Sequence, residues 1–237
     1  MHKRFPFLKK IVPKTFRSGG TVNATYTLAR NFLGLYGWLR AFREKRCVDA
    51  KGNPLPWYTY PAIDFLTPLD FSRASIFEYG AGASTLFWGA RAQRVVSIET
   101  DRGWHEKLLP QLAANCTLVH LSAKLPAYAD EIRAHGLFDV IVIDGPGETR
   151  EACAEIAPAH LNRGGMIIFD NSDQLPHCAA LLRQPDLLQV DFTGFAPMTP
   201  FAQSTSIFFR RDAQWITRDN IQPHRSVAAS DSRWLKG

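Results

Sequence analysis

The sequence lacks any long apolar run, and its cysteines lack the spacing of a metal site. No stretch approaches the roughly 18–20 consecutive apolar residues that a membrane-spanning helix requires. The four cysteines (Cys47, Cys116, Cys153 and Cys178) stand far apart, with no CxxC pair and no histidine at zinc-ligand spacing. Prolines and lysines interrupt the N-terminal region, which therefore does not resemble the apolar core of a secretory signal. These absences predict a cytoplasmic protein with reduced thiols and without a zinc site.

Acidic residues are nearly absent from the first 46 residues, which contain eleven lysines and arginines and one glutamate, Glu44. This segment carries a net charge of +10, whereas the rest of the chain carries −4. A nucleic-acid enzyme whose whole active face is basic is therefore disfavoured. Nucleic-acid methylation with a basic N-terminal arm is left as an alternative, although no recognition module or aromatic platform accompanies the arm.

An amphipathic pattern lies within the basic segment. Apolar side chains recur at helical spacing between Leu28 and Phe42, which predicts a helix over residues 27–46. A basic amphipathic helix is able to lie on an anionic membrane surface, so peripheral membrane contact by a non-catalytic protein is a further alternative. Packing on the domain as a lid, or a homodimer contact, is favoured over it. We predict a basic helical extension over residues 1–56 and a globular domain over residues 57–237.

From Ala74 onward, short apolar runs alternate with helical stretches, which is the pattern of a parallel α/β sheet. Strands are predicted at residues 75–79, 94–99, 117–121, 138–143, 166–169, 188–192 and 204–211. The connection between the last two strands is short and contains Pro197 and Pro200, so this pair is predicted to be antiparallel. The predicted fold is α/β, a doubly wound and mostly parallel seven-stranded sheet with an antiparallel last strand and an N-terminal helical extension.

Acidic residues stand at or near the ends of four predicted strands: Glu78, Glu99, Asp144 and Asp170. In open α/β sheets, ligands bind at the carboxyl ends of the strands. The first acid lies in the segment 77–85 (FEYGAGAST), whose glycines allow a tight turn and the close approach of a ligand. Ser84 is expected to cap the helix that follows. Glu99 lies 21 residues after Glu78, at the position from which a carboxylate binds both hydroxyls of a ribose.

A GxG turn followed by an acid also fits a dinucleotide-binding fold, or a turn that binds no ligand. A dinucleotide turn has a third glycine near position 85, where this sequence has Thr85. Glu78 would also repel a diphosphate. These two residues favour a nucleoside cofactor without a pyrophosphate.

The segments FEYGAGAST, VVSIETD, FDVIVIDG and GGMIIFDN together resemble, in order, the consecutive motifs of class I S-adenosylmethionine-dependent methyltransferases. The resemblance covers about residues 75–211, and the segments DFTGFAP and STSIFF are similar to those of uncharacterised bacterial members. It implies a methyltransferase that uses S-adenosylmethionine and O-methylates a small-molecule or glycan hydroxyl. The sequence lacks the tetrad of amino-methylating DNA enzymes and the Pro-Cys nucleophile of cytosine methylation.

The resemblance also implies a set of cofactor-binding residues: Glu78, Gly80, Gly82, Ser84, Thr85, Glu99, Ser122 and Asp144. In members of the superfamily, residues in the places of Gly80 and Gly82 lie against the methionine part of the cofactor, and the residue in the place of Glu99 binds the ribose. Ser122, with its neighbour Ala123, is expected near the adenine. Asp144 is expected beside the transferred methyl group.

Asp144, Asp170 and Asn171 resemble the metal-binding trio of catechol-type O-methyltransferases and of some sugar-hydroxyl methyltransferases. Mg²⁺ or another divalent cation prefers such oxygen ligands, and a hydroxyl bound to it ionises more readily. The catechol enzymes carry a lysine base directly after the first aspartate, whereas residues 145–148 (GPGE) contain none. A purely structural role for Asp170 and Asn171 is an equal alternative.

His177 follows this trio closely and is, with Asp144, a candidate catalytic base, because an imidazole titrates near neutral pH. A surface histidine at the start of a helix is the alternative. Trp57 and Trp104 are candidates for stacking on adenine or on a substrate, although core packing is the expected use of each.

Overall fold

The computed structural model describes residues 19–229, with side chains from Val22 onward. Its strands are β1 Ser75–Tyr79, β2 Arg94–Glu99, β3 Cys116–His120, β4 Phe138–Ile143, β5 Leu161–Asp170, β6 Leu187–Phe195 and β7 Ala202–Arg210. They form one sheet in the order β3-β2-β1-β4-β5-β7-β6. Only β7 runs antiparallel to its neighbours in this sheet, since the remaining pairs are parallel. The predicted doubly wound sheet with an antiparallel last strand is confirmed.

The helices connect these strands and cover the sheet on both sides. They are α1 Gly19–Ala29, α2 Trp38–Glu44, α3 Tyr60–Leu66, α4 Ala83–Gly89, α5 Arg102–Leu108, α6 Ala127–Asp130, α7 Arg150–Ile156 and α8 Pro176–Leu181. Asp101 caps α5 as predicted, because its side chain accepts a hydrogen bond from the Trp104 amide at 2.6 Å. No helix within residues 19–229 is long and apolar enough to cross a membrane.

The sheet is buried on both faces, and alternate residues of each central strand serve different cores. Phe77 and Tyr79 of β1 pack in the cluster that includes α6, α7 and α8, whereas Ile76 packs with Phe87 and Trp88 of α4. In β4 every residue except Asp139 is buried. The sequence of β4 is an almost continuous apolar run because the strand is buried on both faces of the sheet.

The N-terminal segment is not the single helix over residues 27–46 that its periodicity predicts. Helix α1 passes into a π-helical turn, Arg30–Leu35, and the chain turns at Gly37 before α2 begins. Gly37 has a left-handed φ of 80°, and a Cβ at this position would lie 2.4 Å from backbone atoms of Asp49 and Ala50. Two stretches of backbone cross here at a distance that only glycine allows, and this crossing interrupts the helix.

The segment packs against the rest of the chain through polar contacts. The Tyr36 hydroxyl donates to Asp64 at 2.5 Å, and Trp38 Nε1 donates to the backbone oxygen of Thr199 at 3.0 Å. Leu28 and Phe42 are 71% and 53% exposed, so the predicted apolar face is only partly covered. Residues 1–18, with six of the eleven cations of the basic segment, lie outside the described residues. The domain division at residue 56, the membrane contact and the homodimer contact stay predictions.

Candidate functional site

A cavity of about 910 Å³ lies at the carboxyl ends of β1, β2 and β4. Its wall is formed by the turn between β1 and α4, the end of β2, the first turns of α5 and the loop after β4. The segment that follows α2 completes the wall on the outer side. The volume falls in the range of roughly 300–1,000 Å³ that is usual for small-molecule sites.

Gly80 and Gly82 shape the turn after β1. Gly80 has a φ of 95°, and a Cβ there would lie 2.6 Å from the backbone oxygen of Asp144. The turn therefore touches the end of β4 backbone to backbone, which requires glycine. A Cβ on Gly82 would have only Trp104 Nε1, at 3.9 Å, within 4 Å. Gly80, Gly82 and Ser84 all line the cavity, and the missing side chain at Gly82 leaves space for a ligand.

Glu78 and Thr85 stand behind the turn, where both are fully buried. Glu78 Oε2 accepts hydrogen bonds from Thr85 Oγ1 at 2.7 Å and from Ser97 Oγ at 2.6 Å. Thr85 Oγ1 in turn accepts the Gly82 amide at 3.1 Å. The predicted capping by Ser84 is wrong, because Ser84 is the second residue of α4 and the N-cap is Gly82, whose amide is bound by Thr85. In this structure Glu78 and Thr85 hold the shape of the turn and offer no surface to a ligand.

The buried Glu78 carboxyl predicts a pH-dependent stability. Burial raises the pKa of Glu78 from 4.5 to about 7, against the hydroxyls of Ser97 and Thr85, which lower it. The folded state therefore binds this proton more tightly than the unfolded chain. The protonated Glu78 carboxyl therefore contributes fully to the free energy of unfolding below pH 4.5, and this contribution is lost as the pH rises through about 7.

We expect Glu78→Gln, which mimics the protonated carboxyl, to raise the free energy of unfolding by about 1–3 kcal/mol at about pH 8. The gain should shrink toward zero near pH 5, and urea denaturation across this range measures it. Glu148→Gln, at an exposed position, is the matched control and should leave the free energy of unfolding unchanged at both pH values. The same gain at both pH values would contradict the raised pKa of Glu78.

Glu99 ends β2 in the cavity wall, with 8% of its surface exposed. Its Oε1 accepts the Asp101 amide at 2.7 Å, which orients the carboxylate. Trp104 and Trp57 also line the cavity and are 46% and 50% exposed. Trp104 Nε1 donates to the Ala81 carbonyl at 3.1 Å, so its ring is held beside the β1 turn. The expectation of core packing is wrong for both tryptophans, since about half of each residue remains exposed.

Arg150 holds the ends of β4 and β5 together. Its Nη2 donates to Asp144 Oδ1 at 2.9 Å, its Nε to the Gly145 carbonyl at 2.7 Å and its Nη1 to the Asp170 carbonyl at 2.5 Å. Only 7% of Arg150 is exposed. Sequence reasoning missed this residue. The available signal was its place as the first residue of α7, where the helix dipole disfavours a cation.

The predicted divalent-cation trio does not fit this arrangement. Arg150 already binds the Asp144 carboxylate, and the Asp170 carboxylate accepts the Thr205 hydroxyl at 2.5 Å with 2% of the residue exposed. Burial raises the pKa of Asp170, and the charge of Asp144 raises it further, which disfavours the ionised form that a cation requires. Asn171 lies in the cavity wall beside them. Across residues 19–229, no group of three histidine, cysteine or acidic side chains is placed to hold a metal.

Two predicted site residues lie away from the cavity. His177 is exposed in the first turn of α8, and Ser122 is exposed in the loop after β3. Neither lines the cavity, and Ala123 does not either. Strand β3 is at the edge of the sheet, two strands from β1, so its end lies to one side of the site. His177 is thus a surface histidine at the start of a helix, which was the alternative to a catalytic base.

No family model and no curated protein matches the sequence. Among solved structures, an O-methyltransferase from Bacillus cereus in complex with SAH has a TM-score of 0.52 and 14% identity, over 79% of this chain and 97% of that one. A candidate O-methyltransferase from Klebsiella pneumoniae has a TM-score of 0.50 and 16% identity, over 86% of this chain and 94% of that one. At these identities the likeness concerns the fold. The chain has the fold of class I S-adenosylmethionine-dependent methyltransferases.

Proposed function

We propose that this chain is an S-adenosylmethionine-dependent methyltransferase that transfers the methyl group to a hydroxyl of a small molecule or glycan. The observation that carries the proposal is the cavity, which brings Gly80, Glu99 and Asp144 from three strand ends around one space of about 910 Å³. The two solved structures of the same fold support it, since both are described as O-methyltransferases and one contains SAH.

The residues of the cavity fit the cofactor. The turn at residues 80–84 presents backbone and open space instead of large side chains, as the methionine part requires. Glu99 Oε2 has no hydrogen bond within the described residues, so it is free to accept from a ribose hydroxyl. Trp104 offers an indole face for the adenine next to it. The ribose assignment uses a carboxylate oxygen of Glu99 to which no described residue donates.

When bound, S-adenosylmethionine supplies an electrophilic methyl group on a sulfonium. Asp144 is the group of the chain that would manage the proton of the acceptor. Its Oδ1 accepts from Arg150, whereas Oδ2 makes no hydrogen bond among residues 22–229 and the side chain is partly exposed to the cavity. Burial raises the pKa of Asp144 while the Arg150 guanidinium lowers it. A carboxylate of raised pKa is the better base, so Oδ2 would take the proton of the acceptor hydroxyl, and the cofactor would supply the methyl group, its sulfur keeping the electrons of the broken bond.

Calorimetric titration with S-adenosylmethionine tests the proposal. Wild-type protein is expected to bind, and Glu99→Gln to bind roughly ten- to a hundred-fold more weakly, because a hydrogen bond to a charged group contributes about 1.5–3 kcal/mol. Glu106→Gln, on the exposed side of α5 where it pairs with Arg102, is the matched control and should bind as wild type does. Failure of the wild type to bind would refute the proposed cofactor. Normal binding by Glu99→Gln would refute only the ribose assignment.

A further inference from the structure

The outer side of the cavity is lined by two cations, an indole ring and two sulfur-containing side chains. Its lining residues there are Lys45, Arg46, Cys47, Trp57 and Met198, which we call the outer wall. We propose that the outer wall binds the methyl acceptor and selects a ring compound that carries an anionic group, such as a carboxylate, besides its hydroxyl. This inference rests on the proposed function, because it concerns the second substrate of the same site.

The outer wall and Asp144 line the same cavity. Cys47 is buried, and burial followed by the negative charges of Asp144 and Asp170 raises the pKa of its thiol to about 12. Cys47 lines the same cavity as Asp144 and Asn171, which directly follow β4 and β5. It stays protonated at neutral pH and serves as a small apolar surface. Lys45 and Arg46 directly precede it in the chain and line the same cavity, so two cations share this cavity with Asp144.

Hydrogen bonds hold the outer wall in place. Trp57 Nε1 donates to Thr199 Oγ1 at 3.0 Å, and the Cys47 carbonyl accepts the Leu55 amide at 3.0 Å. Thr199 is 5% exposed and lies in the loop between β6 and β7. Trp57 is half exposed, so a planar apolar face is available in a fixed position. A ring stacks on such a face at low cost in conformational entropy.

Left-handed backbone conformations outside glycine are concentrated in the wall of the cavity. Four non-glycine residues of the described chain have a left-handed φ, and three of them line the cavity: Lys45 at 50°, Asn171 at 52° and Met198 at 62°. They come from three separate segments, the end of α2, the end of β5 and the loop between β6 and β7. Lys45 is the C-cap of α2, where this conformation is common, and asparagine tolerates it, so Met198 is the residue whose surroundings impose it.

The two cations of the outer wall have no partner among the residues that the structure describes. Neither Lys45 nor Arg46 has an ion pair or a side-chain hydrogen bond with any residue between 22 and 229. Of the two acids that line the cavity, Asp144 is already paired with Arg150, and Glu99 accepts the Asp101 amide. A neutral phenol or sugar would leave both cations without a partner. An anionic substituent on the acceptor would pair with them while the ring lies on Trp57.

Two probes of the same shape test the inference: 4-hydroxybenzoate and its neutral counterpart 4-hydroxybenzyl alcohol. Each is titrated by calorimetry into the full chain saturated with S-adenosylhomocysteine. We expect the benzoate to bind at least about ten-fold more tightly, and the preference to shrink between about 50 mM and about 300 mM salt because these cations are exposed. Lys45→Gln with Arg46→Gln should remove the preference. The matched control, Arg43→Gln with Lys51→Gln, changes two exposed cations outside the cavity and should keep it.

Trp57→Leu should weaken both probes by a similar factor, since it removes the stacking face and no charge. Equal binding of the two probes, absence of binding by either, or a preference that survives in the Lys45/Arg46 variant would overturn the inference. In each of these cases, normal binding of S-adenosylhomocysteine would leave the proposed function intact. Loss of S-adenosylhomocysteine binding in the wild type would overturn the proposed function and this inference together.

Discussion

Gly80→Ala is expected to abolish measurable binding of S-adenosylmethionine and to lower the free energy of unfolding by about 2–4 kcal/mol. The φ of 95° costs a residue with a Cβ roughly 1–2 kcal/mol. The new methyl group would also lie 2.6 Å from the Asp144 carbonyl oxygen and 2.8 Å from its carbon, and overpacking of this kind typically costs about 1–3 kcal/mol. Because both partners are backbone, relief requires the β1 turn to move away from β4, which distorts the cavity. Urea denaturation and calorimetry measure the two effects.

Gly147→Ala is the matched control for this change. Gly147 lies in the loop after β4, is exposed, and a Cβ there would meet no atom within 4 Å. We expect its stability and its cofactor binding to stay within about 0.5 kcal/mol of wild type. If Gly80→Ala behaved like Gly147→Ala, the close contact between the turn and the end of β4 would not exist in solution.

Arg150→Met is expected to lower the free energy of unfolding by about 3–5 kcal/mol, because it leaves the carboxylate of Asp144 without its buried partner. It also removes the donors to the carbonyls of Gly145 and Asp170, so the ends of β4 and β5 lose their connection. Adding Asp144→Asn should recover part of the loss, since no uncompensated charge then remains. Urea denaturation of the single and double variants measures this coupling.

Arg163→Met provides the comparison for Arg150→Met. Arg163 also pairs with an aspartate, Asp212, but its side chain is 96% exposed. An exposed pair of this kind contributes about 0–1 kcal/mol. Similar losses in the two arginine variants would show that Arg150 acts as an ordinary surface cation and does not organise the site.

Local patterns predicted the centre of the sheet well, and the reason is physical. Strands β1, β2 and β4 begin and end where predicted, because residues buried on both faces form short apolar runs that polar residues and glycines end sharply. The bounds of β3 and β6, at the two edges of the sheet, and of β7 shifted by one to three residues. Strand β5 begins at Leu161, five residues before its predicted start, because it runs through Gly164 and Gly165, which the sequence indicates as a break. Edge strands are partly exposed, so their sequences carry a weaker pattern.

The limits of prediction lay in contacts between distant segments. The break at Gly37 depends on residues 49 and 50, which no helical periodicity can report. The metal trio was inferred from a resemblance at two strand ends, whereas in the structure Arg150 and Thr205 each donate to one oxygen of its two aspartates. Cys47 and Asp144 line the same cavity although about a hundred residues separate them in the sequence, and no local pattern indicates this.

Thr199 is a single attachment point for two indoles. Its backbone oxygen accepts from Trp38 and its hydroxyl from Trp57, both at 3.0 Å. Trp38 begins α2, and Trp57 follows the loop that crosses back beneath Gly37. To move away from the cavity, the N-terminal segment must therefore break both bonds or carry the loop between β6 and β7 with it. A loop that contributes Met198 to the outer wall thus also holds these two indoles, so a substitution at Thr199 would reach the acceptor side of the cavity without touching the turn after β1.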